Sequence, residues 1–254
     1  MQSIVECSKN EPKIVALWGA PRCASTVFEK TFMQRCDTVV LHAPFADIYY
    51  FSKWRRSTSF GNRQDRQNYD IKSAVEEIKS KVAPLVFFKD MAFQALPYID
   101  KEFKYFLGSI INTFIIRHPQ ETITSLYKLY ENFTEEEFGF SSLDEMYKIV
   151  TQELGQQPIV VESNRFRQNP DKILASYCQR IGVEFDPRML GWNDGKLKQW
   201  ESRDYEFHTK WYKTLENSSG ILPPTQVKIN IFPEHRKMVE RAERIYEKLS
   251  RSTV

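Results

Sequence analysis

Five apolar runs of strand length recur along the chain with helix-patterned stretches between them: IVALW (14–18), TVVLH (38–42), LVFFKD (85–90), NTFIIR (112–117) and PIVVE (158–162). This alternation constrains the fold more than any other feature. The runs are nearly continuous in β-branched and aromatic residues, the pattern of strands covered on both faces in a parallel sheet. STVFEKTFMQR follows the first run and IKSAVEEIKSKV precedes the third. PQETITSLYKLY opens with proline at a first helical position and glutamate in the first turn. NPDKILASYCQRIG enters on Asn-Pro and stops at Gly182, and a last helix is expected from about Pro233 to Leu249. Strands alternating with helices predict an α/β protein, a three-layer sandwich around a central parallel sheet. In such sheets ligands lie at the carboxyl ends of the strands.

A chain of 254 residues can bury one sizeable core, and it carries no repeat, low-complexity tract or linker. A single domain over 1–254 is therefore expected. Two aromatic stretches read as irregular. The first, 43–70, contains Tyr49, Tyr50, Phe51, Trp54, Arg55 and Arg56 and is expected to be an acceptor-site lid. The second, 192–224, contains Trp200, His208, Trp211 and Tyr212 and is expected to cover substrate or cofactor. The formal charge of +3 suits an anionic small ligand, or solubility alone, and falls short of a nucleic-acid-binding domain. The four cysteines, Cys7, Cys23, Cys36 and Cys178, form no C-x-x-C pair and no zinc spacing, so reduced thiols and no metal are expected. The N-terminus lacks the apolar stretch of a signal peptide, and the most apolar segment, 105–116, is too short to span a bilayer. A cytoplasmic protein without a membrane partner is the expectation.

The segment WGAPRCAST (18–26) joins the first strand to the first helix. A turn containing Gly19 and Pro21 there gathers backbone N–H groups and a helix N-terminus around an anion. Arg22 adds a charge, and Ser25 and Thr26 add hydroxyls; the bland alternative is a strand-to-helix turn with a serine cap. Aligned to a phosphate-binding loop, the segment has Ala24 at the second glycine and Ser25 at the lysine. That lysine serves the β- and γ-phosphates of a nucleoside triphosphate, so a magnesium-bound triphosphate is poorly served. A second constellation stands in IIRHPQETITS, where Arg117 closes a strand and Ser125 lies eight residues on, about two helical turns away. Together they would form a site for a second phosphate.

These two motifs resemble those of the sulfotransferases that use 3′-phosphoadenosine 5′-phosphosulfate (PAPS). The family's 5′-phosphosulfate loop, P-[KR]-x-x-[ST]-[ST], is matched by Pro21-Arg22-Cys23-Ala24-Ser25-Thr26. Its 3′-phosphate motif places Arg and Ser eight residues apart, as Arg117 and Ser125 are. Residues 169–192 resemble the helix-and-turn segment that such enzymes carry downstream. The resemblance implies a P-loop-like sulfotransferase fold, PAPS as co-substrate and no metal. It also implies that Gly19, Pro21, Arg22, Cys23, Ala24, Ser25 and Thr26 hold the 5′ end while Arg117 and Ser125 hold the 3′-phosphate. Departures are Arg22 and Ala24 where Lys and Gly are common, and Val161-Glu162-Ser163-Asn164 where many relatives have an acidic Tyr-Glu-Asp-like stretch. A C-terminal basic-glycine loop has no clear match.

Sulfuryl transfer needs in-line attack, stabilisation of charge and a base for the acceptor proton. Arg22 is the expected stabiliser of the transferring group. His42, closing TVVLH, is the favoured base, and Asp90 beside Lys89, closing LVFFKD, is the rival. Cys23 is a weak candidate nucleophile, since loop geometry alone asks for a small residue there. The expected acceptor is a small molecule, a natural product such as an alkaloid or polyketide, modified on oxygen or nitrogen. A P-loop kinase and a non-catalytic nucleotide-binding protein are the alternatives.

Overall fold

In the computed structural model, residues 12–61, 66–193, 213–226, 228–230 and 232–254 are described. All five apolar runs are strands: β1 (Lys13–Gly19), β2 (Thr38–His42), β3 (Leu85–Met91), β4 (Ile111–Ile116) and β5 (Ile159–Glu162). They form one parallel sheet in the order β2-β3-β1-β4-β5, and helices flank it. The helices are α1 (Ser25–Phe32), α2 (Ala46–Phe51), α3 (Ile71–Lys79), α4 (Ala92–Ala95), α5 (Lys101–Ser109), α6 (Pro119–Tyr127), α7 (Glu135–Phe138), α8 (Phe140–Lys148), α9 (Ser163–Gln168), α10 (Pro170–Ile181) and α11 (Arg236–Ser250).

Strand alternation builds the two sides of the core. Phe87 and Phe88 are neighbours in β3 and therefore point to opposite faces. Phe87 stacks on Phe32 of α1 at 4.1 Å between ring centroids, and α1 packs through Phe28 on Tyr177 of α10. Phe88 meets Trp18 edge-on at 5.6 Å and lies parallel to Phe106 of α5. The indole N–H of Trp18 donates to Asn112 Oδ1 at 3.0 Å, satisfying a polar atom that burial would otherwise leave unpaired. On α11, Ala242, Ile245 and Leu249 are buried at helical spacing, against α6 and α8.

The expected helix signals act where the residues stand. Pro119 starts α6 and Pro170 starts α10, while Gly182 caps α10 in the left-handed conformation at φ 70°. The stretch 43–70 differs from its reading as irregular, because residues 46–51 form α2. Its Tyr49, Tyr50 and Phe51 are buried with Phe93 in a small core of their own. Among the described residues, no helix is long and apolar enough to cross a membrane.

Sheet register fixes the position of the site. His42 is the register partner of Lys89, Trp18 of Asp90, and Gly19 of both Met91 and Ile115. Arg117 follows β4 directly. The sequence motifs thus meet along one edge, where β1 is flanked by β3 on one side and β4 on the other.

Candidate functional site

The loop after β1 holds two non-glycine residues in the left-handed region, Arg22 at φ 63° and Ala24 at φ 60°. Such residues cost of order 1–3 kcal/mol each and persist where the surroundings impose them. Ala24 is the N-cap of α1, and no side chain caps this end. The serine-capped turn is therefore not what forms: Ser25 is the first helical residue, and the first turn carries no acid. The first-turn N–H groups and the positive end of the helix dipole are left without a side-chain cap. Gly19 lets this loop lie close to β4, since a Cβ there would stand 3.1 Å from Ile115 Cγ2.

Arg117 and Ser125 come to the same place. Arg117 Nη1 donates to the Arg22 carbonyl at 3.2 Å, and Arg22 Nε donates to Ser125 Oγ at 3.0 Å. Glu121 orients Arg117 through Nε at 2.9 Å, and Asn164 in turn donates to Glu121 at 3.1 and 3.2 Å. The two motifs form one connected network around a cavity of about 350 Å³, within the ~300–1,000 Å³ range of small-ligand pockets. Pro21, Arg22, Ala24, Ser25, Thr26, Arg117 and Ser125 all line it. Arg167 of α9 lines it too, a residue that the sequence reading missed. Burial, then the Arg117 charge, lowers the Arg167 pKa, as expected where two cations converge. Arg22, Lys89, Arg117 and Arg167 face the cavity, and no aspartate or glutamate is among its described lining residues.

His42 and Lys89 also line the cavity, whereas Asp90 does not. The Asp90 carboxylate is fully buried and accepts from the backbone N–H groups of Phe45 at 2.7 Å and Met91 at 2.8 Å. The expected rival base thus has both oxygens engaged away from the cavity, Oδ2 on the turn that follows His42 and Oδ1 on the next residue of its own strand. Consecutive strand residues face opposite ways, so Lys89 reaches the cavity and Asp90 turns behind it. Burial pushes the Asp90 carboxyl up to about 7, against the backbone N–H of Phe45 and the Lys89 charge.

His42 has a partner that the sequence reading also missed. Its Nδ1 lies 2.7 and 2.9 Å from the carboxylate oxygens of Glu29, a residue of α1 with no exposed surface. Burial pushes Glu29 up to about 8, against the charge of Lys89. Burial first, and Lys89 second, hold His42 well below its ordinary value. The imidazole is therefore neutral at pH 7, and its Nδ1 is engaged by Glu29. The available signal was spacing: Glu29 stands four residues after Ser25, one helical turn along the same face.

Cys23 is buried, and burial raises its thiol to about 12, which removes it as a nucleophile. Neither Cys23 nor Gly19 lines the cavity. Trp200, His208, Trp211 and Tyr212 lie outside the described residues. The described part of the late stretch does reach the site: Thr214, Leu215, Ser218, Gly220 and Leu222 line the cavity. Trp192 donates from Nε1 to the Ser218 carbonyl at 2.8 Å, and Arg167 holds the carbonyls of Leu222 and Pro223. Trp54 is exposed, and Arg56 pairs with Glu136 at 3.0 Å. Among the described residues, no group of three or more His, Cys, Asp or Glu side chains stands where it would hold a metal ion.

The fold is shared with solved sulfotransferases. The sulfotransferase domain of the Synechococcus PCC 7002 olefin synthase superposes with a TM-score of 0.50 at 13% identity, over 94% of this chain and 98% of that one. A sulfotransferase from Alicyclobacillus acidocaldarius gives a TM-score of 0.50 at 12% identity, over 83% and 97%. Among curated proteins, branched-chain-amino-acid aminotransferase-like proteins 1 and 2 of Arabidopsis thaliana are 25% and 24% identical over 93% and 92% of this chain. The chain spans 41% of the length of each, so their name describes much longer proteins. A family model described as a sulfotransferase domain matches residues 12–239, and by that match the chain belongs to the sulfotransferase domain family.

Proposed function

We propose that the protein transfers a sulfuryl group from PAPS to a hydroxyl or nitrogen of a small-molecule acceptor, a natural product such as an alkaloid or polyketide. One observation carries the reading. A cavity lined by four cationic side chains and no described carboxylate opens at an uncapped helix N-terminus, and the Arg117–Ser125 pair is tied to that same loop. This donor set fits two separate phosphates better than one polyphosphate chain. The first-turn N–H groups, Ser25 and Thr26 take the 5′-phosphate, and Arg117, Ser125 and Arg167 take the 3′-phosphate. Arg22 spans the two.

In the transfer, the acceptor oxygen or nitrogen forms a bond to sulfur while the bond from sulfur to the 5′-phosphate oxygen breaks. The acceptor proton moves to His42 Nε2, and 3′-phosphoadenosine 5′-phosphate leaves with the bonding pair. Glu29 holds the His42 Nδ1 proton, fixing the tautomer that presents a lone pair at Nε2 and stabilising the imidazolium that forms. Arg22 and Lys89 offset the charge that grows on the departing oxygen.

Calorimetric titration with 3′-phosphoadenosine 5′-phosphate, beside ADP and ATP with magnesium, tests the donor. Tight binding of the bisphosphate with little response to the others is expected. Preference for ATP with magnesium would overturn the reading in favour of a kinase.

A further inference from the structure

The small core of Tyr49, Tyr50, Phe51 and Phe93 has an open side. Ala43, Phe60 and Met91 pack against it and stay partly exposed. All three line the cavity, together with Tyr50 and Phe93. Ala43 follows His42 directly and Met91 stands two residues after Lys89, so this apolar wall begins beside His42. Tyr50, Met91 and Phe93 are carried by α2, β3 and α4. Phe60 is on neither a helix nor a strand: it sits in a turn closed by the Gly61 N–H, which donates to the Thr58 carbonyl at 2.8 Å. Its ring still has a defined place, edge-on to Tyr50 at 4.5 Å between centroids and 6.4 Å from Phe51.

A buried carboxylate holds this turn. Ser57 Oγ and Ser59 Oγ donate to Glu137 Oε1 at 2.9 and 2.8 Å, and the Tyr130 hydroxyl lies 2.8 Å from Ser59 Oγ. Glu137 Oε2 accepts from the Thr134 N–H at 3.0 Å, closing a capping box at the start of α7. Glu137 is 6% exposed. A carboxylate buried to that extent needs these donors, so the contacts that satisfy it also pin the turn. Arg56, one residue before Ser57, adds its pair with Glu136.

We infer that Phe60 sets the size of the acceptor and that Ser57, Ser59 and Glu137 position it: the acceptor is a flat, apolar molecule whose reactive group lies at His42 and whose far edge meets the Phe60 ring. This rests on the sulfotransfer reading and narrows its acceptor. The other wall residues are fixed by helices and a strand, so a larger body enters only by displacing Phe60. That displacement gives up the contact with Tyr50 and loosens the bonds to Glu137. Phe60 is a specificity determinant and Glu137 a positioning residue; neither moves the reacting proton or holds the donor.

The test titrates two fluorescent phenols of different size, 2-naphthol and 1-hydroxypyrene, into the full chain loaded with 3′-phosphoadenosine 5′-phosphate. Wild type is expected to bind 2-naphthol about 10-fold or more tightly than 1-hydroxypyrene. Phe60→Ala should move that ratio toward 1-hydroxypyrene by about 10- to 100-fold, with 2-naphthol weakened and 1-hydroxypyrene tightened. Should Phe60→Ala fail to fold, Phe60→Leu is read instead and should move the ratio the same way by about 3- to 10-fold. The paired change Ser57→Ala and Ser59→Ala should also move it by about 3- to 10-fold, a shift in selectivity that a general loss of stability does not produce. Equal binding of the two phenols by wild type, binding of neither, or a Phe60→Ala ratio within about twofold of wild type overturns the inference. An unmoved ratio in the paired serine variant overturns the positioning by Glu137. Titration of unloaded protein with the bisphosphate separates the two readings. Bisphosphate binding without size selection sinks only the role of Phe60, and no bisphosphate binding sinks the donor reading beneath it.

Discussion

Replacing Glu29 with glutamine keeps the shape of the side chain and an oxygen that can accept from His42 Nδ1, and removes one buried charge. In the unfolded chain this carboxyl ionises near its ordinary 4.5, and in the folded protein near 8. Between those values the folded state keeps a proton that the unfolded state has lost. The group's contribution to stability is therefore whole below pH 4.5 and drains away as the pH rises to about 8. At ~1.4 kcal/mol for each pH unit, that span sets a ceiling of ~5 kcal/mol. Relaxation around a buried charge brings the expected difference to ~2–3 kcal/mol. Asp90, also pushed upward, adds a slope of the same sign to both proteins, slightly steeper in wild type because the Glu29 charge is among the causes of its rise.

Urea unfolding of wild type and Glu29→Gln at pH 5 and pH 8.5 reads this directly. The variant should gain ~2–3 kcal/mol on wild type between the two pH values. Activity should move the other way. With Glu29 protonated, its O–H donates to Nδ1, the imidazole proton sits on Nε2, and no base faces the acceptor. Once Glu29 is ionised, Nδ1–H donates to it and Nε2 presents its lone pair. Wild-type kcat/KM should thus rise with pH through about 8, while Glu29→Gln lacks that limb and reaches a plateau ~10- to 100-fold lower. Stability curves that run parallel in the two proteins, or a limb near pH 8 that survives in the variant, would refute the pairing of Glu29 with His42.

Arg117→Ala should weaken 3′-phosphoadenosine 5′-phosphate by ~10- to 100-fold and 5′-AMP by less than ~3-fold in calorimetry, since only the former carries a second phosphate; equal weakening would remove Arg117 from that site. Gly19→Ala puts a Cβ 3.1 Å from Ile115 Cγ2 and 3.6 Å from Ser25 Cβ, so it should cost ~1–3 kcal/mol in urea unfolding. An unchanged midpoint would mean that the loop does not depend on this close approach.

The sheet was legible because its strands are covered on both faces, and continuous apolar runs bounded by polar turns leave few other solutions. The meeting of the loop after β1 with Arg117 and Ser125 was legible because each motif keeps a fixed spacing within one strand-loop-helix unit. Helix α2 was not: ADIYYF is too short to show a helical period and is made largely of residues with weak helix propensity, so only its packing against Phe93 explains it. The choice between Lys89 and Asp90 was equally hidden, because the residue type says nothing about which face of a strand end meets the cavity. Arg167 sits on a short helix just after a strand, where no periodicity sets a direction. Glu29 carried a readable sign, an acid between Phe28 and Phe32 on the buried side of α1. Its meaning depended on β2 bringing His42 alongside, a long-range pairing that spacing alone does not give.

The costs within this fold are concentrated where the chemistry is proposed. Among the described residues, the non-glycine residues at positive φ are Arg22, Ala24 and Ala43, two in the phosphate loop and one directly after His42. The buried ionisable groups Glu29, His42, Lys89 and Asp90 form one cluster beside them. A core selected for stability alone would hold neither, so the surrounding packing has to impose both. One contact shows how. Gly139, at φ 83° between α7 and α8, leaves room for a Cβ only 3.0 Å from Pro21 Cδ and 3.4 Å from both Ala20 Cβ and Phe93 Cδ1. The α7–α8 corner thus packs at once on the loop after β1 and on Phe93, and both contribute to the cavity lining. Two parts of the cavity lining thus share one support, and a loop with two left-handed non-glycine residues is held against it.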